Sequence, residues 1–216
     1  MSKYILAYGL AFMLLSARAS AQFLHDINGR PILETKYTNV EGSPYLYEDW
    51  VSGVVELAKG TSYKGIELKY DQVADELLFR HKEAALSFVE PVKEFKLLSP
   101  TTALFRNGYK PVDRNTAQTF YEVLYDGGTQ LIRKRAKQIM ENREYNSASS
   151  TKKFVPVETY FIVKDGLPVK IRKDKKSVLS VLKDKGTLIN KYVESNKVNF
   201  KEDQDLIKLV EYYNTN

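Results

Sequence analysis

Residues 51–70 read VSGVVELAKGTSYKGIELKY, and the fold prediction starts from this stretch. Apolar side chains share one face of residues 51–57, a glycine turn follows at 59–61, and apolar and polar residues alternate along 65–70. Alternation with period two indicates a half-buried β-strand. The stretch therefore predicts two antiparallel strands joined by a turn. The residues expected on the buried face are Val51, Val55, Leu57, Ile66, Leu68 and Tyr70.

The same arrangement repeats on the C-terminal side of this hairpin. Short strands separated by turn residues, with no helical pattern between them, predict an antiparallel meander that forms a curved sheet or a partly closed barrel. Residues 136–150 are ambiguous, and one interpretation is a long strand that leads into a polar loop at 146–150. The further predicted strands are 76–80, 84–89, 92–97, 102–106, 120–125, 129–135, 159–163 and 169–173, with turns at 81–83, 107–108, 126–128 and 164–166.

After Arg172 the apolar period changes to that of a helix, and three apolar stripes follow. Asp174 is a candidate N-cap for the first helix, and Asn199 with Glu202 fits a capping box for the last. Each stripe covers one side of a short helix, which predicts packing against the sheet. The fold class is therefore mainly β (α+β), with a C-terminal cluster of two to three short helices. The stripes are Val178, Leu179, Leu182; Leu188, Ile189, Tyr192, Val193; and Leu206, Ile207, Val210, Tyr213.

The N-terminus has the three parts of a cleavable secretory signal. Lys3 supplies the positive charge, residues 4–15 form an apolar run, and Ala19-Ser20-Ala21 offers small side chains for cleavage before Gln22. The run is shorter than the roughly 20 apolar residues that a membrane-spanning helix needs. The chain contains no cysteine, which excludes a lipoprotein anchor and a disulfide framework. We therefore expect a protein that is exported to the periplasm or the cell exterior and is not integral to the membrane.

Four segments are predicted along the chain. Residues 1–21 are the signal peptide, and 22–48 form an extended arm that lacks sustained periodicity and carries turn chemistry. Residues 49–173 form the antiparallel β domain, and 174–216 form the helical segment packed on it. The arm is expected to dock through Ile32, Leu33, Tyr45 and Tyr47.

The charge balance gives little indication of a partner. The 33 Lys and Arg exceed the 27 Asp and Glu by six, and loss of Lys3 and Arg18 with the signal leaves a net charge of +4. Basic residues concentrate between Lys164 and Lys185, but acidic residues interrupt the run and no aromatic stacking pattern accompanies it. A solvated edge is the favoured interpretation over a patch for anionic lipid, glycan or nucleic acid. We expect no nucleic-acid partner.

The reactive side chains do not form a recognisable catalytic motif. The only histidines, His25 and His81, are too few for a zinc site, and no serine lies in a nucleophile elbow. We therefore predict no catalytic residue, no cofactor and no metal. Acidic clusters at residues 71–76 and beside the single tryptophan leave glycosidase chemistry as an alternative, although solvated loop acids are the favoured interpretation. The acidic candidates are Asp71, Asp75, Glu76, Glu48 and Asp49.

Several stretches of the chain resemble a group of uncharacterised exported proteins of Bacteroidota. The resemblance implies bacterial export, and it assigns no activity and no functional residue. The stretches are residues 42–50 (GSPYLYEDW) with Gly53, 66–71 (IELKYD), 75–78 (DELL), 119–127 (TFYEVLYDG), 144–148 (EYNSA) and 205–214 (DLIKLVEYYN).

Three functions from different classes are consistent with the sequence. The leading hypothesis is a non-catalytic envelope protein that binds an unknown ligand or protein partner through the β domain. The second is a carrier of a lipid or another apolar ligand inside a β-barrel. The third is a carbohydrate-active hydrolase that uses paired carboxylates.

Overall fold

A computed structural model of the chain describes residues 27–32, 34–99, 101–143 and 150–216. These residues form one sheet of 12 strands and, near the C-terminus, three α-helices. The mainly β class is therefore confirmed. The predicted cleavage site at Ala19, Ala21 and Gln22 and the predicted arm contact Leu33 lie outside the described residues.

The sheet consists mainly of two antiparallel meanders, which are joined by the pairing of β3 with β7. In the first meander, β3 to β6 follow one another across the sheet. The second meander begins with β7, which pairs with the other edge of β3, and continues to β12 on that side. The order is β1-β6-β5-β4-β3-β7-β8-β9-β10-β11-β12. The strands are β1 (Gly29–Pro31), β2 (Val40–Glu41), β3 (Val51–Leu57), β4 (Ser62–Asp71), β5 (Glu76–His81), β6 (Ala84–Phe88), β7 (Val92–Leu97), β8 (Ala103–Arg106), β9 (Tyr121–Tyr125), β10 (Gln130–Arg143), β11 (Ser150–Lys164) and β12 (Leu167–Ile171).

The sheet bends far enough for distant strands to touch, but it does not close. The Lys137 N–H on β10 donates to the Gln72 carbonyl just after β4, at 3.1 Å. Between these strands lie β3, β7, β8 and β9, so the contact requires strong curvature. Of the two forms predicted from the sequence, the curved open sheet is the one observed.

The central strand β3 depends on Gly53. A Cβ at this position would lie 2.4 Å from the Lys96 carbonyl oxygen and 2.4 Å from Leu68 Cδ1. Gly53 pairs with Leu97 on one side and Ile66 on the other, and the ladder to β4 shifts register directly after it. The absence of a side chain allows the two flanking strands to approach β3 closely.

The arm contributes two strands to the sheet, which the sequence did not predict. β1 pairs with the edge of β6, and β2 pairs with β11 in parallel, so the sheet is mixed. Farther along the arm, the Leu46 N–H donates to the Tyr70 carbonyl and the Gln72 N–H to the Pro44 carbonyl. Arm and sheet are therefore joined by backbone hydrogen bonds. Residues 34–37 form a short 3-10 helix between β1 and β2.

β10 and β11 form a ribbon that is much longer than the predicted strands. They pair from Gln130↔Val163 to Arg143↔Ser150, so the long-strand interpretation of residues 136–143 is confirmed. The polar loop expected at 146–150 lies mostly outside the described residues, as do Glu144 to Ala148 of the resemblance. Two predicted turns differ in detail. His81 ends β5 and pairs with Ala84, and Asn107-Gly108 opens a long connection to β9.

Three apolar clusters stabilise the fold. The first lies among β3 to β8 and contains the rings of Tyr70, Phe95, Phe105 and Phe120. The second joins the sheet to the helices through Leu131, Ile162 and the buried helix residues. The third is a small group around Tyr121 and Phe161 beneath the connection 107–120. Burial of apolar surface on this scale is the main driving force for folding in a chain without disulfides.

The C-terminal helices are α1 (Lys175–Val181), α2 (Gly186–Ser195) and α3 (Asp203–Thr215). The predicted N-cap of α1 is confirmed, because the Asp174 carboxylate accepts from the Ser177 N–H at 2.8 Å. The predicted capping box at Asn199 and Glu202 is wrong. The helix α3 begins only at Asp203, and Glu202 occupies the N-cap position without a side-chain hydrogen bond. The Asn199 carboxamide oxygen accepts from the Lys201 N–H in the turn before the helix.

Candidate functional site

A cleft lies between the arm and the strands β4, β5 and β6. Its volume is about 610 Å³. The arm supplies one wall through β1 and the 3-10 helix, and the sheet supplies the floor. Backbone hydrogen bonds hold the arm against the sheet on this side, between β1 and β6 and between residues 44–46 and the end of β4. A concave site of this size is typical of ligand binding.

The floor is a row of side chains that crosses four neighbouring strands. Lys69 on β4 pairs with Leu78 on β5, Leu78 pairs with Ser87 on β6, and Ser87 pairs with Arg30 on β1. Residues opposite each other in a ladder project on the same side of the sheet. The row therefore places a cation at each end and two small uncharged groups between them.

Two aromatic rings flank the cation at the β4 end of this row. Lys69 Nζ lies 4.9 Å from the Tyr45 ring centroid and 4.9 Å from the Trp50 ring centroid. Both distances are within the range of cation–π attraction. Burial lowers the pKa of the Lys69 ammonium, and the more distant Asp49 opposes that shift. An ammonium that has lost part of its water favours an anionic ligand.

Asp71, at the end of β4, fixes the opposite wall of the cleft. Its carboxylate accepts from the Tyr37 hydroxyl at 2.8 Å and from the Val73 and Ala74 N–H groups at 2.9 Å each. Lys36 Nζ lies 3.8 Å away. Burial, followed by this hydrogen bond, raises the pKa of Tyr37 and keeps its hydroxyl protonated as the donor. Asp71 therefore joins the arm to the sheet.

The structure separates the acidic residues that the sequence grouped together. Asp71 and Glu76 pair across β4 and β5 and both line the cleft. Asp75 instead forms an ion pair with Lys134, and Glu48 and Asp49 line a neighbouring surface depression. Of the two acidic candidates in the cleft, Asp71 accepts three hydrogen bonds, from the Tyr37 hydroxyl and from the Val73 and Ala74 N–H groups.

The sequence interpretation missed most residues of the cleft. It noted Trp50, Asp71 and Glu76 but not Arg30, Tyr37 or Lys69 as site residues. Lys69 occupies the polar side of an alternating strand, where a solvated lysine is the ordinary expectation. Tyr45 and Tyr37 reach the cleft because of the course of the arm, and the sequence of the arm has no periodic pattern that would predict this course.

The interior of the curved sheet is filled by side chains. The Phe95 and Phe105 rings stack at 4.8 Å, and Tyr70 lies 5.1 Å from Phe105. Phe120 meets Phe95 edge-on at 5.1 Å. In the described part of the chain this space is therefore a packed core.

Three of the eight basic residues between Lys164 and Lys185 form ion pairs with acids. Lys164 pairs with Asp184, Lys170 with Asp113 and Lys173 with Asp203. These pairs balance part of the positive charge of the stretch locally.

Comparisons with known proteins do not assign the site. The chain matches no family model, no curated protein and no solved structure. In the ranges that the structure describes, no helix is long and apolar enough to cross a membrane, and no cluster of three or more His, Cys, Asp or Glu could hold a metal ion.

Proposed function

We propose that the chain is an exported, non-catalytic binding module of the bacterial envelope that holds its ligand in the cleft between the arm and β4 to β6. The observation that carries this proposal is the cleft with Lys69 between Tyr45 and Trp50. Aromatic side chains at a cleft wall supply large contact areas, and a cation fixes the orientation of the ligand.

Two features favour binding in this cleft over the alternatives. The packed rings of Phe95, Phe105 and Tyr70 occupy the space that an apolar cargo would need inside the sheet. Asp71, the buried member of the acidic pair, is hydrogen-bonded to the arm and its own turn. These hydrogen bonds give Asp71 a structural role in holding the arm on the sheet.

Export is supported by the N-terminal pattern and by the resemblance to exported proteins of Bacteroidota. We expect the protein recovered from the envelope or the medium of its host to begin at Gln22, because Ala19 and Ala21 provide the small side chains before that bond. N-terminal sequencing of the purified protein measures this. A protein that retains Met1 and stays in the cytoplasm would contradict export.

The binding role can be tested through Trp50, because it is the only tryptophan in the chain. We expect one class of envelope component (glycan, peptide or lipid) to change the fluorescence of Trp50, and this change should reach a plateau as the concentration of the component rises. The substitution Tyr45→Ala should weaken that binding by about 30-fold, since loss of an aromatic anchor costs about 2 kcal/mol.

The matched control removes another stacked tyrosine far from the cleft. Tyr212 stacks on Tyr192 at 4.2 Å in the helical segment. Tyr212→Ala should therefore leave the affinity unchanged. If no component perturbs Trp50, or if both variants lose binding equally, the cleft is not the binding site.

A further inference from the structure

Two of the cations that line the cleft lie at the two ends of the row on its floor. Among the described residues, neither Lys69 nor Arg30 forms an ion pair. The other cations nearby are neutralised. Lys36 lies 3.8 Å from Asp71 and 4.0 Å from Glu76, and Arg80 pairs with Glu67 and Glu83. The lining as a whole holds three cations and three carboxylates, so positive charge is available to a ligand only locally, at Lys69 and Arg30.

The spacing of these cations indicates an elongated ligand. Lys69 and Arg30 lie at the two ends of the row that crosses β4, β5, β6 and β1. Three inter-strand spacings separate their backbones by about 14 Å. Leu78 and Ser87 between them present no charge. A ligand that meets both cations must carry anionic groups at separated points.

The backbone of the floor argues against an extended peptide. Peptides that bind sheets in extended form add to an exposed edge, where free N–H and C=O groups accept them. Here β4 and β5 lie between neighbouring strands, and β6 pairs with β5 and, over residues 86–88, with β1, so the backbone groups of the floor at Leu78 and Ser87 are already paired. Recognition must therefore come from side chains. The Tyr45 and Trp50 rings line the cleft beside Lys69, and an aromatic ring in a cleft wall can pack against the C–H side of a sugar ring.

From these observations we infer that the cleft binds an acidic glycan, with Lys69 and Arg30 meeting carboxylates on separate sugar units and Tyr45 and Trp50 packing against a ring. This inference rests on the proposed function, because it names the ligand class of the same cleft.

The test is calorimetric titration of the purified protein with a hexamer of galacturonic acid and with the uncharged galactose hexamer. We expect the acidic hexamer to bind and the neutral hexamer to bind at least about tenfold more weakly, since the cations are then left without a partner. Raising the salt concentration should weaken binding of the acidic hexamer. Lys69→Met and Arg30→Gln should each reduce its affinity by about tenfold or more.

The matched control is Lys64→Met, which removes the same charge from the exposed half of β4. It should bind like the unmodified protein, and thermal unfolding of all variants verifies that they are folded. Equal affinity for the two hexamers, no binding of the acidic one, or full affinity in Lys69→Met would each overturn the inference.

A hexamer of glutamic acid separates this inference from the proposed function. If the peptide or the neutral glycan binds instead, and Tyr45→Ala weakens it, the cleft remains a binding site and only the acidic-glycan assignment fails. If none of the probes binds, and no envelope component perturbs Trp50, both proposals fail.

Discussion

Lys134→Met is expected to lower the free energy of unfolding by about 1.5–3 kcal/mol, because it removes a buried ammonium and leaves the partly buried Asp75 carboxylate without its counter-ion. Lys134 Nζ lies 2.6 Å from Asp75 Oδ2, and the Tyr70 hydroxyl donates to Asp75 Oδ1 at 2.6 Å. These contacts connect β10 to the turn after β4, beside the Lys137–Gln72 hydrogen bond. Loss of the Lys134–Asp75 ion pair should therefore weaken the contact between β10 and the end of β4 that accompanies the curvature of the sheet.

A surface ion pair of nearly the same length provides the matched control. Lys93 Nζ lies 2.7 Å from Glu56 Oε1, but its side chain is 56% exposed, compared with 11% for Lys134. Lys93→Met should change stability by at most about 1 kcal/mol, because water screens an exposed pair. Urea denaturation of both variants measures the difference. Equal losses would contradict the structural role of Lys134.

Removal of both charges should restore part of the stability. Asp75 has a positive φ of 58°, which asparagine tolerates, so Asp75→Asn keeps the backbone and an acceptor for Tyr70. In Lys134→Met combined with Asp75→Asn, no unpaired charge stays buried. We expect the double variant to be more stable than Lys134→Met alone. Additive losses would show that the two side chains do not act as a pair.

Phe105→Ala is the second large effect that we expect, with a loss of about 3–5 kcal/mol in the free energy of unfolding. The Phe105 side chain is completely buried and packs against Phe95 and Tyr70 at the centre of the first cluster. Its truncation removes apolar contacts and leaves a cavity between rigid strands.

Phe154 on the ribbon supplies the comparison for this substitution. It is only partly buried and meets Tyr37 edge-on at 5.5 Å. Phe154→Ala should lose at most about half as much stability, because less apolar surface is removed from contact. The same denaturation experiment compares the two. A loss below about 1 kcal/mol in Phe105→Ala would mean that the core does not depend on this cluster.

Local patterns were sufficient to predict the elements whose side chains alternate or repeat. Residues 51–57 and 65–70 were found because one face of each strand is buried, and the N-cap Asp174 because its side chain acts on the adjacent turn. The outer half of β10 gave only an ambiguous signal, since residues 138–143 are exposed. Strands β1 and β2 gave none, because two or three residues carry no periodicity.

The cleft could not be predicted for a different reason. Lys69 meets Tyr45, which lies 24 positions earlier in the sequence, only because the arm returns to the end of β4. Arg30 joins the same row through the pairing of β1 with β6. Neither contact can be inferred from the pattern of neighbouring residues in the sequence. Trp50 was noted because it is the only tryptophan and follows two acidic residues. The side chains that surround it in space depend on tertiary structure and could not be predicted.

The most direct test of the binding cleft is an NMR titration with the galacturonic acid hexamer, because Trp50 gives the single indole N–H resonance of the chain. We expect this resonance and the amides of Lys69, Leu78, Ser87 and Arg30 to shift together with saturation. The amides of α3 should remain unchanged. Shifts confined to another surface, or an indole resonance that stays in place at saturating hexamer, would contradict a ligand site in this cleft.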